Sequence, residues 1–142
     1  MSRTAKTYDF ARSNCAVAST LDIVGDKWSL LVIRDLLQGK KTYGELSESG
    51  ERIPTNILAD RLRRLDEAGI IEKSAYQERP VRFVYALTAK GRDMGDILLA
   101  IVRWGRKHIP GSQALDIATR RLSASAPPDA ARPRNPAKSR GD

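Results

Sequence analysis

The chain is poor in the residues that build enzyme and metal sites. Its 142 residues include one cysteine, one histidine and two methionines. A single cysteine excludes an intrachain disulfide and any multi-cysteine metal site, and a lone thiol is ordinary in a reducing compartment. The only histidine, His108, has no cysteine near it, and there is no glycine-rich phosphate loop. The sequence therefore predicts a protein that is not an enzyme and has no cofactor or metal.

Long apolar runs are also missing. No segment approaches the roughly 18 to 20 apolar residues that span a bilayer, and the start of the chain, Met1 to Lys6, has no signal-peptide core. We therefore expect a soluble cytoplasmic protein with no membrane partner. With 41% apolar and 30% charged residues, the chain can form one modest core and is short for two domains.

The net charge of +8 is concentrated towards the C-terminus. Residues 1–102 hold 16 Lys or Arg against 14 Asp or Glu, whereas residues 103–142 hold 9 against 3. Such a surplus favours a polyanionic partner through counterion release. We divide the chain into an N-terminal arm (1–13), a folded domain (14–109) and a basic, Pro/Ala-rich tail (110–142). From its composition we expect the tail to be partly or fully disordered.

Two helices are predicted before residue 40. Asn14 can cap the first, which ends at Gly25, and Asp26 can cap the second, which runs from Lys27 to about Gln38. The second helix is apolar nearly all round, so we expect it to be the most buried element. Three aspartates of this region are interpreted as caps and solvated side chains rather than as paired catalytic acids: Asp22, Asp26 and Asp35.

A helix-turn-helix follows. Thr42 and Glu45 have the spacing of a capping box, which predicts a helix start near Tyr43. The polar segment 47–52 supplies the turn, with Gly50 free to take a positive φ. A second helix is predicted from Pro54 to Ala68. Its leucines recur at the spacing that places them on one side, towards a core: Leu58, Leu62 and Leu65.

Two β-type runs come next, Ile70 to Tyr76 and Arg82 to Leu87, separated by residues 77–81. A helix-turn-helix followed by a hairpin is the order of a winged version. The predicted fold is therefore mainly α with a small β-hairpin wing. Thr88 can cap a last helix that reaches about Arg106, and the apolar stripe of this helix is wider than one small domain requires, which indicates a partner surface.

The outward side of the second helix is suited to duplex DNA. Asn56 can pair with adenine, and Arg63 can reach guanine or a phosphate. The alternative is an ordinary amphipathic helix with a solvated face. Asp60 would be repelled by phosphates unless it accepts from a cytosine amine or pairs with Arg64. Nine residues are predicted to contact DNA: Thr42, Arg52, Thr55, Asn56, Ala59, Asp60, Arg63, Arg64 and Arg79.

Cys15 is a candidate sensor of oxidants or electrophiles. If Asn14 is the cap, the thiol lies in the first helical turn, where the helix dipole lowers its pKa and makes the thiolate more available. It could then form an adduct or an intermolecular disulfide. The alternative is a small buried residue.

Several of these motifs together resemble the HxlR family of bacterial winged-helix transcription regulators, over roughly residues 10 to 108. The residues that carry the resemblance are Cys15, Leu21 to Trp28, the helix-turn-helix, Tyr76, Tyr85 to Thr88 and Trp104-Gly105. The sequence departs from the family at Ala59-Asp60, where Thr-Gln is common, and at Pro54, where Ser often opens the helix. These positions face the groove, so the family's operator sequence is not carried over.

The resemblance implies a homodimer, assembled mainly by the N-terminal segment and the last long helix, on a two-fold operator. Some members sense quinones, aldehydes or oxidants through a cysteine to which Cys15 corresponds. The residues assigned to dimerisation are Phe10, Ile97, Leu98, Ile101 and Trp104. Our hypothesis is a dimeric, sequence-specific DNA-binding regulator with Cys15 as a candidate sensor. The alternative is a protein-interaction module whose basic tail contacts nucleic acid non-specifically.

Overall fold

The structure is a computed structural model that describes residues 13–113. These residues form six helices and one hairpin. In chain order they are α1 (Ala16–Val24), α2 (Ser29–Leu37), α3 (Tyr43–Ser47), α4 (Thr55–Glu67), β1 (Ile71–Glu78), β2 (Val81–Leu87), α5 (Ala89–Arg92) and α6 (Met94–His108). The mainly helical fold with a hairpin wing is therefore confirmed. Phe10, most of the predicted arm and nearly all of the predicted tail lie outside the described residues.

The first helix begins later than the sequence suggested. Cys15, not Asn14, occupies the N-cap position of α1, with extended backbone angles. The hydroxyl of Ser13 accepts a hydrogen bond from the backbone N–H of Cys15 at 3.2 Å, and this bond precedes the helix. The prediction that Asn14 caps α1 is therefore wrong. Gly25 ends α1 as predicted.

The start of α2 is organised by Asp26. Its carboxylate accepts hydrogen bonds from the backbone N–H groups of Trp28 and Ser29, each at 3.0 Å, and from the Ser29 hydroxyl. Asp26 therefore satisfies free N–H groups at the helix start as predicted, although the helix itself begins at Ser29 rather than Lys27. Gly39, with φ of 97°, closes the element after Leu37.

The helix-turn-helix consists of α3 and α4. Its capping box is confirmed, since the backbone N–H of Glu45 donates to the Thr42 hydroxyl and the Glu45 carboxylate accepts from the Thr42 N–H, each at 3.1 Å. In the turn, the residue with positive φ is Arg52, at 55°, and not Gly50 as predicted. Pro54 stands at the N-cap of α4 and Ala68 at its C-cap, close to the predicted limits.

The wing is longer than predicted and its turn is shorter. Pairing between β1 and β2 is antiparallel from Ile71 opposite Leu87 to Glu78 opposite Val81, with an irregularity between Ala75 and Gln77. The predicted turn residues 77, 78 and 81 are thus paired, and the tip is residues 79–80. The segment before α3 joins β2 through an isolated bridge between Thr42 and Val84, and the Tyr85 N–H donates to the Lys41 carbonyl at 2.7 Å.

The predicted last helix is divided into α5 and α6 by Asp93. The Thr88 hydroxyl caps α5, accepting from the Gly91 N–H at 3.1 Å and donating to the carbonyl of Gly69. Gly91 is buried because its backbone lies directly on the Ile70 carbonyl. None of the helices within residues 13–113 is both long enough and apolar enough to cross a bilayer.

The core lies where α2, α4, α6 and the base of the wing meet. Its members are Val24, Val32, Ile33, Leu36, Leu37, Leu46, Ile53, Leu58, Leu62, Leu65, Ile70, Ile71, Met94 and Leu98. Helix α2 contributes the largest share, which confirms that it is the most buried helix. The three leucines of α4 point into this core, so the opposite side of α4 is directed outwards.

Candidate nucleic-acid interface

The outward face of α4 carries polar and charged side chains. Asn56, Ala59 and Arg63 are exposed, and the Arg63 side chain keeps 60% of its accessible surface. Thr55 is the first residue of the helix and is also exposed. The helix therefore presents an amide, a methyl group and a guanidinium group on a surface that no other part of residues 13–113 covers.

Tyr43 joins the two helices of the motif. Its hydroxyl donates a hydrogen bond of 2.8 Å to the carbonyl of Thr55, at the first residue of α4. From the sequence, Tyr43 is expected only to lie at the start of α3. The hydroxyl group joins that start to the start of α4, where the outward face of α4 begins.

Asp60 forms two ion pairs on the outward face. Its Oδ1 lies 2.7 Å from the Arg63 guanidinium, and its Oδ2 contacts the Arg61 guanidinium. The sequence left open a pairing with Arg64, whereas the structure has Asp60 with Arg61 and Arg63. The hydrogen bond from Arg63 holds the pKa of the Asp60 carboxyl group below its usual value, although burial acts in the opposite direction. Arg63 also pairs with Glu67, at 3.1 Å.

Arg61 fastens α4 to the turn before α2. Its Nε donates to the Asp26 carboxylate at 2.7 Å, across 35 positions of the chain. Partial burial raises the pKa of Asp26, but hydrogen bonds from Ser29, Arg61 and the Trp28 N–H outweigh it and hold that pKa well below its usual value. This contact was not foreseen, because a single sequence does not show which charges meet across such a distance.

Arg34 fastens the turn of the motif to α2. Its guanidinium donates to both carboxylate oxygens of Glu51, to the Ser49 hydroxyl at 3.2 Å and to Oδ1 of Asp35 at 2.9 Å. The hydrogen bonds from Arg34 lower the pKa of Glu51 to about 2. Asp35 is only 1% exposed, so its interpretation as a solvated side chain is wrong. We refer to Arg34, Asp35, Ser49 and Glu51 as the turn clamp.

The remaining predicted contact residues surround the outward face. Arg52 lies in the turn, Arg64 on α4 and Arg79 at the tip of the wing, and all three are exposed. Within residues 13–113 none of these arginines forms an ion pair. Thr42 is half-buried, and its hydroxyl is occupied by the capping box. The Gln77 side chain closes the tip by donating to the Arg79 carbonyl at 3.2 Å.

Cys15 is exposed at the start of α1. The backbone N–H groups of Ala18 and then Val17 face its sulfur and lower the pKa of the thiol below its ordinary value. The alternative that Cys15 is a small buried residue is therefore wrong. Over residues 13–113, no three His, Cys, Asp or Glu side chains converge as a metal site would need.

An apolar surface lies on α6. Ile97, Ile101 and Trp104 expose 37%, 49% and 62% of their surface. Their spacing of three and four residues places them on one side of the helix. Leu98 points the other way and is 5% exposed, because it packs in the core of its own chain, so it is not part of this outward surface. Val17 and Leu21 on α1 are exposed as well.

Comparison with known proteins agrees with this geometry. The family described as HxlR-like helix-turn-helix matches residues 23–113. The chain belongs to this family. An HTH-type transcriptional regulator of Synechocystis sp. is 37% identical over 91 residues, which are 64% of this chain and 67% of that protein. The relatives are named as transcriptional regulators, and this HxlR-like chain is a transcriptional regulator of winged-helix type.

Solved structures of similar fold extend the comparison. PA1607, studied as a candidate transcription factor, superposes with a TM-score of 0.64 at 37% identity, over 72% of each chain. The redox regulator HypR in its oxidized form superposes with a TM-score of 0.60 at 32% identity, over 66% of this chain and 97% of that chain. The HxlR-like domain described above is therefore shared with a regulator that is named for its redox behaviour.

Proposed function

We propose that this HxlR-like protein is a sequence-specific DNA-binding regulator that acts as a homodimer on a two-fold operator. The observation that carries the proposal is the difference between the two sides of α4. Its leucines are buried, while Asn56 and Arg63 on the other side are exposed. Amide and guanidinium groups on a helix are the groups that recognise adenine and guanine in the major groove. In this proposal α4 lies in the major groove, with Thr55, Ala59 and Asp60 close to the bases.

Phosphate contacts would come from the surroundings of α4. Arg52, Arg64 and Arg79 are exposed and form no ion pair within residues 13–113, so their charges are available to a polyanion. Thr42 opens α3 next to the wing, and its capping box would hold this end of the helix beside a phosphate. We propose that these four residues set the position of the protein on the duplex, while α4 reads the sequence.

The homodimer is supported by the apolar surface on α6. Ile101 and Trp104 are large side chains left about half exposed, and such residues are enriched at protein interfaces. We propose that this surface, formed with Ile97 and extended by the segment that contains Phe10, meets the same surface of a second copy. Two-fold symmetry then places the two α4 helices in half-sites about 34 to 36 Å apart, or a multiple of that distance.

Binding to DNA is tested by gel shift on the protein's own upstream region and on DNA selected from a random pool. We expect Asn56→Ala and Arg63→Ala each to weaken specific binding by about ten-fold, because each removes a base contact. Arg103→Ala, which removes one exposed charge on α6, is the matched control and should leave specificity unchanged. Specific binding that survives both α4 substitutions would favour the alternative of an interaction module with a basic tail.

Cys15 is proposed as the site at which oxidants or electrophiles act on this regulator. The chain has one cysteine, so a disulfide formed by Cys15 must join two copies or a small thiol. With the oxidant diamide, two Cys15 thiols give up two electrons and two protons to the diazene, and one S–S bond forms. We expect diamide to change the operator affinity of the wild type but not of Cys15→Ser. Unchanged affinity with fully modified thiol would disprove the sensor role.

A further inference from the structure

We infer that the Asp60–Arg63 ion pair on α4 reads one G·C base pair in each half-site. In this arrangement Arg63 donates to guanine, and Asp60 accepts from the amino group of the paired cytosine. The inference rests on the proposed function, because it requires α4 to lie in the major groove.

The two side chains form a preassembled unit on the outward face. Nη2 of Arg63 lies 2.7 Å from Oδ1 of Asp60, and the side chains remain 60% and 39% exposed. Asn56 precedes Asp60 by one helical turn on the same side of α4. The unit therefore lies within the surface that faces the bases in the proposed complex.

Both side chains of the ion pair have hydrogen-bonding groups left over for a base. A carboxylate can accept about four hydrogen bonds, and the two oxygens of Asp60 contact one guanidinium each. Arg63 uses one N–H group towards Asp60 and one towards Glu67, out of five that a guanidinium offers. An unused acceptor thus lies beside unused donors.

Only one base pair matches this pattern in full. In the major groove guanine shows two acceptors, N7 and O6, and the cytosine paired with it shows a donor, the 4-amino group. Thymine shows an acceptor, O4, in the corresponding place, which would face the carboxylate of Asp60 and be repelled. The donor–acceptor order of Arg63 and Asp60 therefore complements G·C and disfavours A·T.

The surrounding charges allow a carboxylate to lie at this position. Asp60 is paired with two arginines, and one of them, Arg61, is itself held by Asp26. The two guanidinium groups beside Asp60 offset its negative charge at close range, which reduces its repulsion from the phosphates. The lowered pKa of Asp60 keeps it ionised at neutral pH, so it acts only as an acceptor.

The test compares the base preference of the full-length wild type, Asp60→Ala and Glu67→Ala on DNA selected from a random pool. Glu67→Ala is the matched control, because it removes the other carboxylate partner of Arg63 without touching the proposed acceptor. We expect the wild type and Glu67→Ala to enrich one G·C pair per half-site. Replacing this pair by A·T should cost them at least about ten-fold in affinity. For Asp60→Ala the loss should be clearly smaller, because only the contact of Arg63 with guanine then favours G·C.

A second measurement needs no variant. In the selected operator, the cytosine is replaced by 2-pyrimidinone, which lacks the 4-amino group, and the affinity of the wild type is measured. We expect a loss of affinity, because Asp60 then has no amino group from which to accept, and no loss when the same replacement is made at a position outside the half-sites.

Three results would overturn the inference while leaving the proposed function intact. Asp60→Ala could raise the affinity for all sequences equally, which would make Asp60 only a repelling charge. Glu67→Ala could lose the preference as fully as Asp60→Ala, which would mean that only the orientation of Arg63 matters. The 2-pyrimidinone operator could bind as well as the cytosine operator. A wild type that enriches no sequence at all would instead defeat the proposed function and this inference with it.

Discussion

At the scale of single residues, the molecule uses arginine to hold charged groups where the fold needs them. Arg34 satisfies one oxygen of the buried Asp35, while the other oxygen has no hydrogen-bond partner among residues 13–113 and lies 3.9 Å from the Lys40 ammonium group. An ionised carboxylate this deep is costly to bury unless a cation stays beside it. Arg34 therefore supports α2 and the turn of the motif at the same time.

Cys15 yields a prediction about reactivity. The thiolate is the reactive form, and the N–H groups of Ala18 and Val17 lower the pKa of the thiol. A lower pKa means that the thiolate forms at a lower pH. We therefore expect the alkylation rate of folded Cys15 by iodoacetamide to rise with pH at a midpoint below the roughly 8.5 of a free cysteine.

The reference for this measurement is the same protein unfolded in urea, where the N–H groups no longer face the sulfur. Its midpoint should lie at the ordinary value for a cysteine. A folded midpoint equal to or above that of the unfolded chain would contradict the prediction.

At the scale of elements, α5 packs closely against the segment between α4 and β1. A Cβ atom added at Gly91 would lie 2.1 Å from the Ile70 carbonyl oxygen and 3.0 Å from a methyl group of Leu87. Both α5 and the backbone at Ile70, just before β1, would have to shift. We expect Gly91→Ala to lower the free energy of unfolding by about 1 to 3 kcal/mol, measured by urea denaturation.

Gly44 in α3 is the matched control for that substitution. A Cβ added there would meet only the Thr42 hydroxyl oxygen, at 4.0 Å. Since alanine is the better helix former, Gly44→Ala should be neutral or stabilising by up to about 1 kcal/mol. Equal effects of the two substitutions would show that close packing of α5 is not the cause.

The elements also show how far the sequence alone could be interpreted. The capping box at Thr42 and the leucine spacing of α4 are local signals, since both partners lie within a few residues of each other, and both are confirmed. The break at Asp93 is different. It coincides with the packing of Gly91 on Ile70, a contact across about twenty residues that no local pattern records.

The same contrast between local and distant contacts holds for the candidate site. The outward face of α4 could be predicted from helical periodicity, and Asn56 and Arg63 are exposed as expected. The partners of its charges could not be predicted. Arg61 meets Asp26 and Arg34 meets Glu51 because the core brings distant segments together. The contact of Asn56 and Arg63 with DNA stays a prediction.

At the scale of the whole molecule, the apolar surface of α6 should decide assembly. An aspartate at Ile101 would place a charge in the proposed contact between two copies, where it would be desolvated and unpaired. We expect Ile101→Asp to give a folded monomer in light scattering with size-exclusion chromatography. Operator affinity should fall by at least about ten-fold, because one copy reaches only one half-site.

Arg103→Gln is the control for assembly. It also lowers the charge by one unit, but residue 103 lies about 200° further around α6 than residue 101. It should leave the dimer and operator binding unchanged. A dimer that persists in Ile101→Asp, with an unchanged melting temperature, would exclude α6 as the contact between copies.

The turn clamp has a consequence for how such a protein can respond to a signal. Arg34 joins the segment before α4 to α2, and Arg61 joins the middle of α4 to Asp26. These two anchors oppose rotation of α4 relative to the helices behind it. In the proposed dimer, a reaction at Cys15 would therefore act by changing the spacing and tilt of the two α4 helices rather than the shape of either domain.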